Sequence, residues 1–247
     1  MSREQLRELA RETVEISRAG RYTVDGQVIL FDAARPTELW TAQDLDRLVR
    51  ETVRPAEGPS AAIEVRGEGT VDAVFRMAGG EAPKIGVLNF ASAKNPGGGF
   101  LNGSVAQEEC LAFCSNLYHT QTTGQGPRYY EINRANRDPV YTDTMLIGDV
   151  TFFRTAGYAL TADAVTCPVI TAPAVNMGIV VRDGGGQGPG PKGHEGPDGE
   201  DSGPLCPLGL LPADFRGLRL RGVPQRPGGR GPILAGAAGW RGLGPAV

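Results

Sequence analysis

Glycine and proline supply 29 of the 65 residues from 183 to 247, against 26 of the 182 residues before them. No packed domain is expected at that density, because each glycine loses the most backbone freedom on folding and each proline removes a backbone donor and fixes φ. The core is therefore expected from residues up to about 182. Composition of this kind reads as a low-complexity, disordered tail. It also reads as a frameshift product, and the genetic code constrains that alternative. Moving the frame forward by one nucleotide lets Leu205 to Asp214 become F-A-H-W-G-C-Y-R-L-T, which looks like the end of a helix running into a strand. The same shift lets Phe215 to Pro227 become F-G-A-C-G-C-G-V-F-R-N-D-P.

The rest of the chain has the composition of one α/β domain, with or without an N-terminal extension. The whole is 40% hydrophobic and 21% charged, enough for a sizeable core. A net charge of −3 provides no basic field for a nucleic-acid backbone, so no direct nucleic-acid binding is expected and any anionic ligand must be held by local geometry. Cys110, Cys114, Cys167 and Cys206 form no CxxC pair and have no spaced histidine partners. Neither a disulfide framework nor a metal site is indicated, and no cofactor is called for. The chain opens on a charged helical pattern instead of an apolar leader, and no run is long enough to span a membrane. The expected setting is cytoplasmic.

Along the chain, Ser2 with Gln5 makes a capping box, and Leu6, Leu9, Thr13 and Ile16 follow at helical spacing until Gly20. Tyr22 to Leu30, with Asp25 and Gly26 at its middle, predicts a hairpin. Thr41 and Asp44 start a second helix carrying Leu45, Leu48 and Val49. Residues 1–60 are thus expected as an N-terminal helical extension, 61–182 as the catalytic core and 183–247 as the tail. In the core the order is strand (Ala61 to Val65), helix (Thr70 to Ala78), strand (Lys84 to Ala91), Gly-rich loop, helix (Ser104 to Tyr118), with later strands at Val150 to Phe153 and Ala164 to Ala172. That alternation predicts a sheet covered by helices on both faces.

The chemistry concentrates after the strand ending at Ala91. Three consecutive glycines, Gly97 to Gly99, follow Asn95 and Pro96. Such a loop lets backbone N–H groups approach a pyrophosphate closely, which reconciles an anionic ligand with an acidic protein. Alone, it would be no more than a tight connection. Gln107, Glu108 and Glu109 come next, at the start of a helix, where acids also favour the helix dipole. Adjacent helical side chains point about 100° apart, so two carboxylates can do different work at one site. Glycosidic cleavage needs such groups, one to protonate the leaving oxygen and then activate water. His119 and His194 are the only histidines, and their positions argue against a Ser-His or Cys-His arrangement.

Gly97 to Gly99, a seven-residue spacer and Gln107-Glu108-Glu109 resemble the signature of the poly(ADP-ribose) glycohydrolases. Val87 to Ala93, Ala106, Tyr129 to Glu131 and Leu9 to Thr13 are similar to the bacterial branch, and the likeness runs over residues 4–182. The resemblance implies a macrodomain-like, three-layer α/β/α sandwich with a mixed sheet. It implies Glu109 as general acid/base, Glu108 and Asn95 on the terminal ribose, Gly97, Gly98 and Gly99 against ribose and diphosphate, and Gln107 as support for the loop. The implied substrate is poly(ADP-ribose) or an ADP-ribosylated protein, and no membrane is involved. A mono-ADP-ribosyl hydrolase is the nearest alternative, and a non-catalytic ADP-ribose reader is favoured if the tail is genuine. Bacterial members carry a Gly-Cys-Gly-Val-Phe loop as the other wall of the diphosphate site. The printed chain has none, whereas the shifted frame supplies it.

Overall fold

The structure, a computed structural model, describes residues 1–52, 63–79, 85–136, 144–173 and 233–235. Helix α1 (Arg3–Ala19) starts at the predicted capping box, Gln5 N–H donating to Ser2 Oγ at 3.2 Å and Ser2 N–H to Gln5 Oε1 at 2.6 Å. It stops at Gly20, which takes the left-handed conformation at φ 62°. Leu6, Leu9, Thr13 and Ile16 are all buried, as their spacing requires. Strands β1 (Arg21–Val24) and β2 (Gln27–Leu30) form the predicted hairpin. Asp25 and Gly26 both have positive φ, the turn geometry that matches the twist of the two strands.

The main sheet contains β3 (Thr37–Thr41), β4 (Ile85–Ala91), β5 (Thr144–Arg154), β6 (Leu160–Pro173) and the short β7 (Ile233–Ala235). Their order is β3-β5-β6-β4-β7. The sheet is mixed, with β3, β5 and β6 antiparallel and β4 parallel to both β6 and β7. Its two faces are read from period-2 alternation. On one, Val87, Val150, Phe152, Cys167 and Val169 pack with Leu6, Leu9 and Ala10 of α1, Val71 and Val74 of α3 (Thr70–Ala78), and Leu111 to Cys114 of α4 (Gln107–Cys114). On the other, Met145, Ile147, Ile170 and Ala172 pack with Leu88, Trp40 and Leu45, the last from α2 (Ala42–Thr52). The mixed sheet with helices on both faces is the predicted class of fold.

Several boundaries differ from the sequence reading. The first 52 residues place α1 in the main core and β3 on the main sheet, because the apolar stripe of α1 and the backbone of β3 find their partners there. Ile63 and Val65, expected in a strand, are 86% and 68% exposed and in no strand; among the described residues no ladder partner lies beside them. The helix expected from Ser104 to Tyr118 begins at Gln107 and is broken at Ser115 and Asn116, continuing as α5 (Leu117–Thr122). The break has a cause: Asn116 Oδ1 accepts the Thr151 N–H at 2.7 Å and Asn116 N–H donates to Thr151 O at 3.2 Å, tying this point to β5. Tyr129 and Tyr130 lie in α6 (Gly126–Ala135), with both rings buried against Leu146. The tail, expected to contribute nothing packed, supplies the short strand β7, because its backbone pairs with the edge of β4; the segments in which the shifted frame was read, 205–214 and 215–227, lie outside the described residues. Among the described residues no helix is long and apolar enough to cross a membrane.

Candidate active site

The site begins at the C-terminal end of β4. Its buried phase runs Ile85, Val87, Asn89, Ala91, so one polar side chain, fully buried, faces the layer of α4. Beyond Ala91 the chain turns through Ser92 to Gly99, with Ser92 Oγ accepting the Asn95 N–H at 3.2 Å and Asn95 O the Gly98 N–H at 3.0 Å. Gly97 and Gly98 have φ of 63° and 56°, conformations that a residue with a Cβ adopts only under strain. A cleft of about 590 Å³ opens along this loop, lined by Ser92, Asn95, Pro96, Gly98, Gly99, Leu101, Asn102 and Tyr118. Asn95, Gly98 and Gly99 therefore face it, while Gly97 is buried with Tyr118 and Phe100 beside it.

The two carboxylates lie beneath the loop. Glu108 and Glu109 are only 4% and 7% exposed. A Cβ on Gly98 would stand 2.5 Å from Glu109 Oε1 and 3.1 Å from Glu108 Oε2, so both acids converge under this one residue. Glu109 Oε1 accepts the Gly99 N–H at 2.7 Å. Glu108 is held at both oxygens: Oε2 accepts the Ser92 N–H at 2.7 Å, and Oε1 accepts Gln121 Nε2 at 2.9 Å and Asn89 Nδ2 at 3.4 Å. Burial pushes the Glu108 carboxyl up to about 7, the three donors opposing the rise and the Glu109 charge adding to it. Gln107 points back to the sheet, its Oε1 accepting the Phe90 N–H at 2.9 Å and its Nε2 donating to Leu88 O at 2.8 Å. It thus satisfies β4 just past Val87, where the pairing with β7 ends.

The family model for the microbial-type PARG catalytic domain matches residues 10–155. The chain belongs to the microbial-type PARG family. Among solved structures, the poly(ADP-ribose) glycohydrolase of Thermomonospora curvata is 35% identical, with a TM-score of 0.67, over 72% of this chain and 66% of that one. The same enzyme bound to the inhibitor ADP-HPD gives 35% identity and a TM-score of 0.64, over 72% and 65%. The poly(ADP-ribose) glycohydrolase of Deinococcus radiodurans in complex with ADP-ribose is 38% identical, with a TM-score of 0.56, over 60% and 59%. The chain spans just under two thirds of the length of the first of these structures. No curated protein matches the sequence.

As in its PARG neighbours, the fold is macrodomain-like and mixed α/β. Within it, all seven residues singled out from the sequence fall in one region. Three further participants were missed. Asn89 had a signal, since it is the one polar residue in the buried phase of an otherwise apolar strand. Ser92 and Gln121 had none. Ser92 acts on Glu108 through its backbone, and Gln121 comes from α5, beyond the helix break, where nothing in its local pattern points toward the Glu108 helix.

Proposed function

We propose that this chain hydrolyses the ribose–ribose O-glycosidic bonds of poly(ADP-ribose), releasing ADP-ribose. The observation that carries the reading is the convergence of two buried carboxyls under Gly98, a residue that itself lines the cleft. Family membership and likeness to glycohydrolases solved with ADP-HPD and ADP-ribose support it. In this scheme Glu109, steadied by the Gly99 N–H, protonates the glycosidic oxygen as the bond to the anomeric carbon breaks. The resulting carboxylate then takes a proton from water as the hydroxyl adds to that carbon, which restores the acid. Glu108 hydrogen-bonds the terminal ribose hydroxyls and Asn95 fixes the same ring. Gly98 and Gly99 lie against ribose and diphosphate, Gly97, expected there as well, is buried behind them and shapes the loop instead, and Gln107 anchors the assembly to β4.

The decisive experiment compares polymer cleavage with ADP-ribose binding. Glu109→Gln keeps the shape of the side chain but cannot cycle a proton, so turnover is lost while calorimetry still records ADP-ribose binding. Near-normal turnover in that variant refutes the assignment. We also propose that residues from about 183 are a frameshift product, supported by the composition break and by the Gly-Cys-Gly-Val-Phe sequence in the shifted frame. The printed tail lacks that sequence, which favours a second reading, an ADP-ribose binder without turnover, if the tail is genuine. Binding without cleavage by the printed chain supports that reading. Release from mono-modified protein but not from polymer points instead to a mono-ADP-ribosyl hydrolase.

A further inference from the structure

Gln121 joins the two halves of the site. It is fully buried on α5, and each end of its amide is used. Its Oε1 accepts the Gly97 N–H at 2.7 Å, and its Nε2 donates to Glu108 Oε1 at 2.9 Å. The Gly97 N–H can only donate, so it dictates which end of the amide is oxygen and leaves the NH₂ to face Glu108. The path then closes on itself: Glu108 to Gln121, Gln121 to Gly97, Gly97 through Gly98 to Gly99, and Gly99 to Glu109.

We propose that Gln121 is the positioning residue that couples the shape of the Gly97–Gly99 loop to the state of the Glu108 carboxyl, and through the loop sets the orientation of Glu109. The inference rests on the functional reading above only for its effect on turnover; the coupling itself stands on geometry. Among the described residues, the titratable groups set against Glu108 are Glu109 on its own helix and the Tyr129 and Tyr130 phenols of α6. From β4, the loop and α5 it receives neutral donors, Asn89, Ser92 and Gln121. Of these, only Gln121 also binds the glycine loop through its side chain. Losing it leaves a buried Gly97 N–H without an acceptor and strips Glu108 of its shorter side-chain bond, so the protonated acid becomes easier to form.

Gln121→Met preserves the bulk without either hydrogen bond, and Gln121→Glu restores both only when the introduced carboxyl is protonated. Two readouts are needed. The first is carboxyl ¹³C NMR titration of Glu108, its signal identified by loss in Glu108→Gln. In Gln121→Met the midpoint rises by about one unit, the size of a single charge-assisted bond. The second is the pH profile of polymer cleavage. Gln121→Met loses roughly tenfold or more in kcat with a smaller change in KM, as expected for misorientation of a reacting group. Gln121→Glu recovers turnover as the pH is lowered, which a purely structural role would not produce. Should Gln121→Met fail to fold, the acid-side recovery of Gln121→Glu decides alone. An unchanged Glu108 midpoint in a folded Gln121→Met, or a Gln121→Glu profile parallel to wild type, overturns the inference. A wild-type protein that cleaves no polymer overturns the functional reading instead, and leaves the midpoint test in force.

Discussion

Gly98 is the residue under which the two candidate carboxyls converge. Its φ of 56° and the carboxylate oxygens within about 3 Å of any added Cβ leave room for hydrogen only. Gly98→Ala is expected to cost ~1–3 kcal/mol of stability from backbone strain, more if Glu109 cannot move. Its larger effect is on turnover, because the Cβ displaces Glu109 Oε1 from the Gly99 N–H. Thermal unfolding and polymer cleavage, measured side by side, check both. Glu108 makes a separate prediction. Its carboxyl is raised to about 7 from an ordinary 4.5, so the folded state binds a proton that the unfolded chain has released. The stability associated with that proton is present below about 4.5 and is lost as pH rises through about 7. The amount is on the order of 3 kcal/mol for a shift of this size. Denaturant titrations of wild type and Glu108→Gln between these pH values should show a slope in the first that is missing from the second. Equal slopes would mean that Glu108 titrates as an exposed acid.

Among the elements, α1 has the least obvious part in the site. Its first turn lies against the 3-10 turn Phe100–Asn102 and the glycine that ends it, where a Cβ on Gly103 would meet the Arg3 carbonyl oxygen at 2.6 Å. The helix is thereby a buttress for the glycine loop, with Thr13 Oγ1 also donating to Phe113 O at 3.3 Å. Gly103→Ala, at φ 72°, must push α1 away from the loop. Turnover should fall several-fold and the protein should lose ~1–3 kcal/mol from the strained conformation. Amide exchange localises the damage: protection drops in α1 and in residues 97–103 together, and a loss confined to either one would contradict the buttress. The broken α4–α5 helix belongs to this scale as well. An unbroken helix would carry Gln121 elsewhere, and the tie of Asn116 to Thr151 is what sets α5 where its amide spans Gly97 and Glu108.

The cleft is built from the loop after β4 and from Tyr118, and the family loop expected opposite it is present only in the shifted frame. Resequencing the 3′ end of the gene should reveal the displaced frame, and an uninterrupted frame encoding the printed tail removes the idea. A frame-corrected protein is then expected to cleave polymer and to unfold at a higher temperature than the printed chain, because it regains apolar surface to bury. Equal Tm values would show that the printed tail already completes the fold.

How much of this was legible follows from the range of each interaction. The capping box of α1, the Asp25-Gly26 turn and the glycine loop with its acid pair are written within a few neighbouring residues, and local geometry obeys them. The alternation of β4 announced a strand, and its one polar member, Asn89, marked a buried polar position that the sequence reading missed. The sequence by itself thus determined α1, the hairpin, β4 and the class of fold, and marked the segment proposed to carry the chemistry, because propensity, periodicity and close backbone approach are short-range. Tertiary structure alone decided that α1 and β3 belong to the main core and sheet, that the helix after Glu109 breaks at Asn116, and that Gln121 reaches both Gly97 and Glu108. Those outcomes depend on which distant backbone groups satisfy one another, as Thr151 does for Asn116 and Gly97 for Gln121, and no local pattern encodes a partner 24 or 35 residues away.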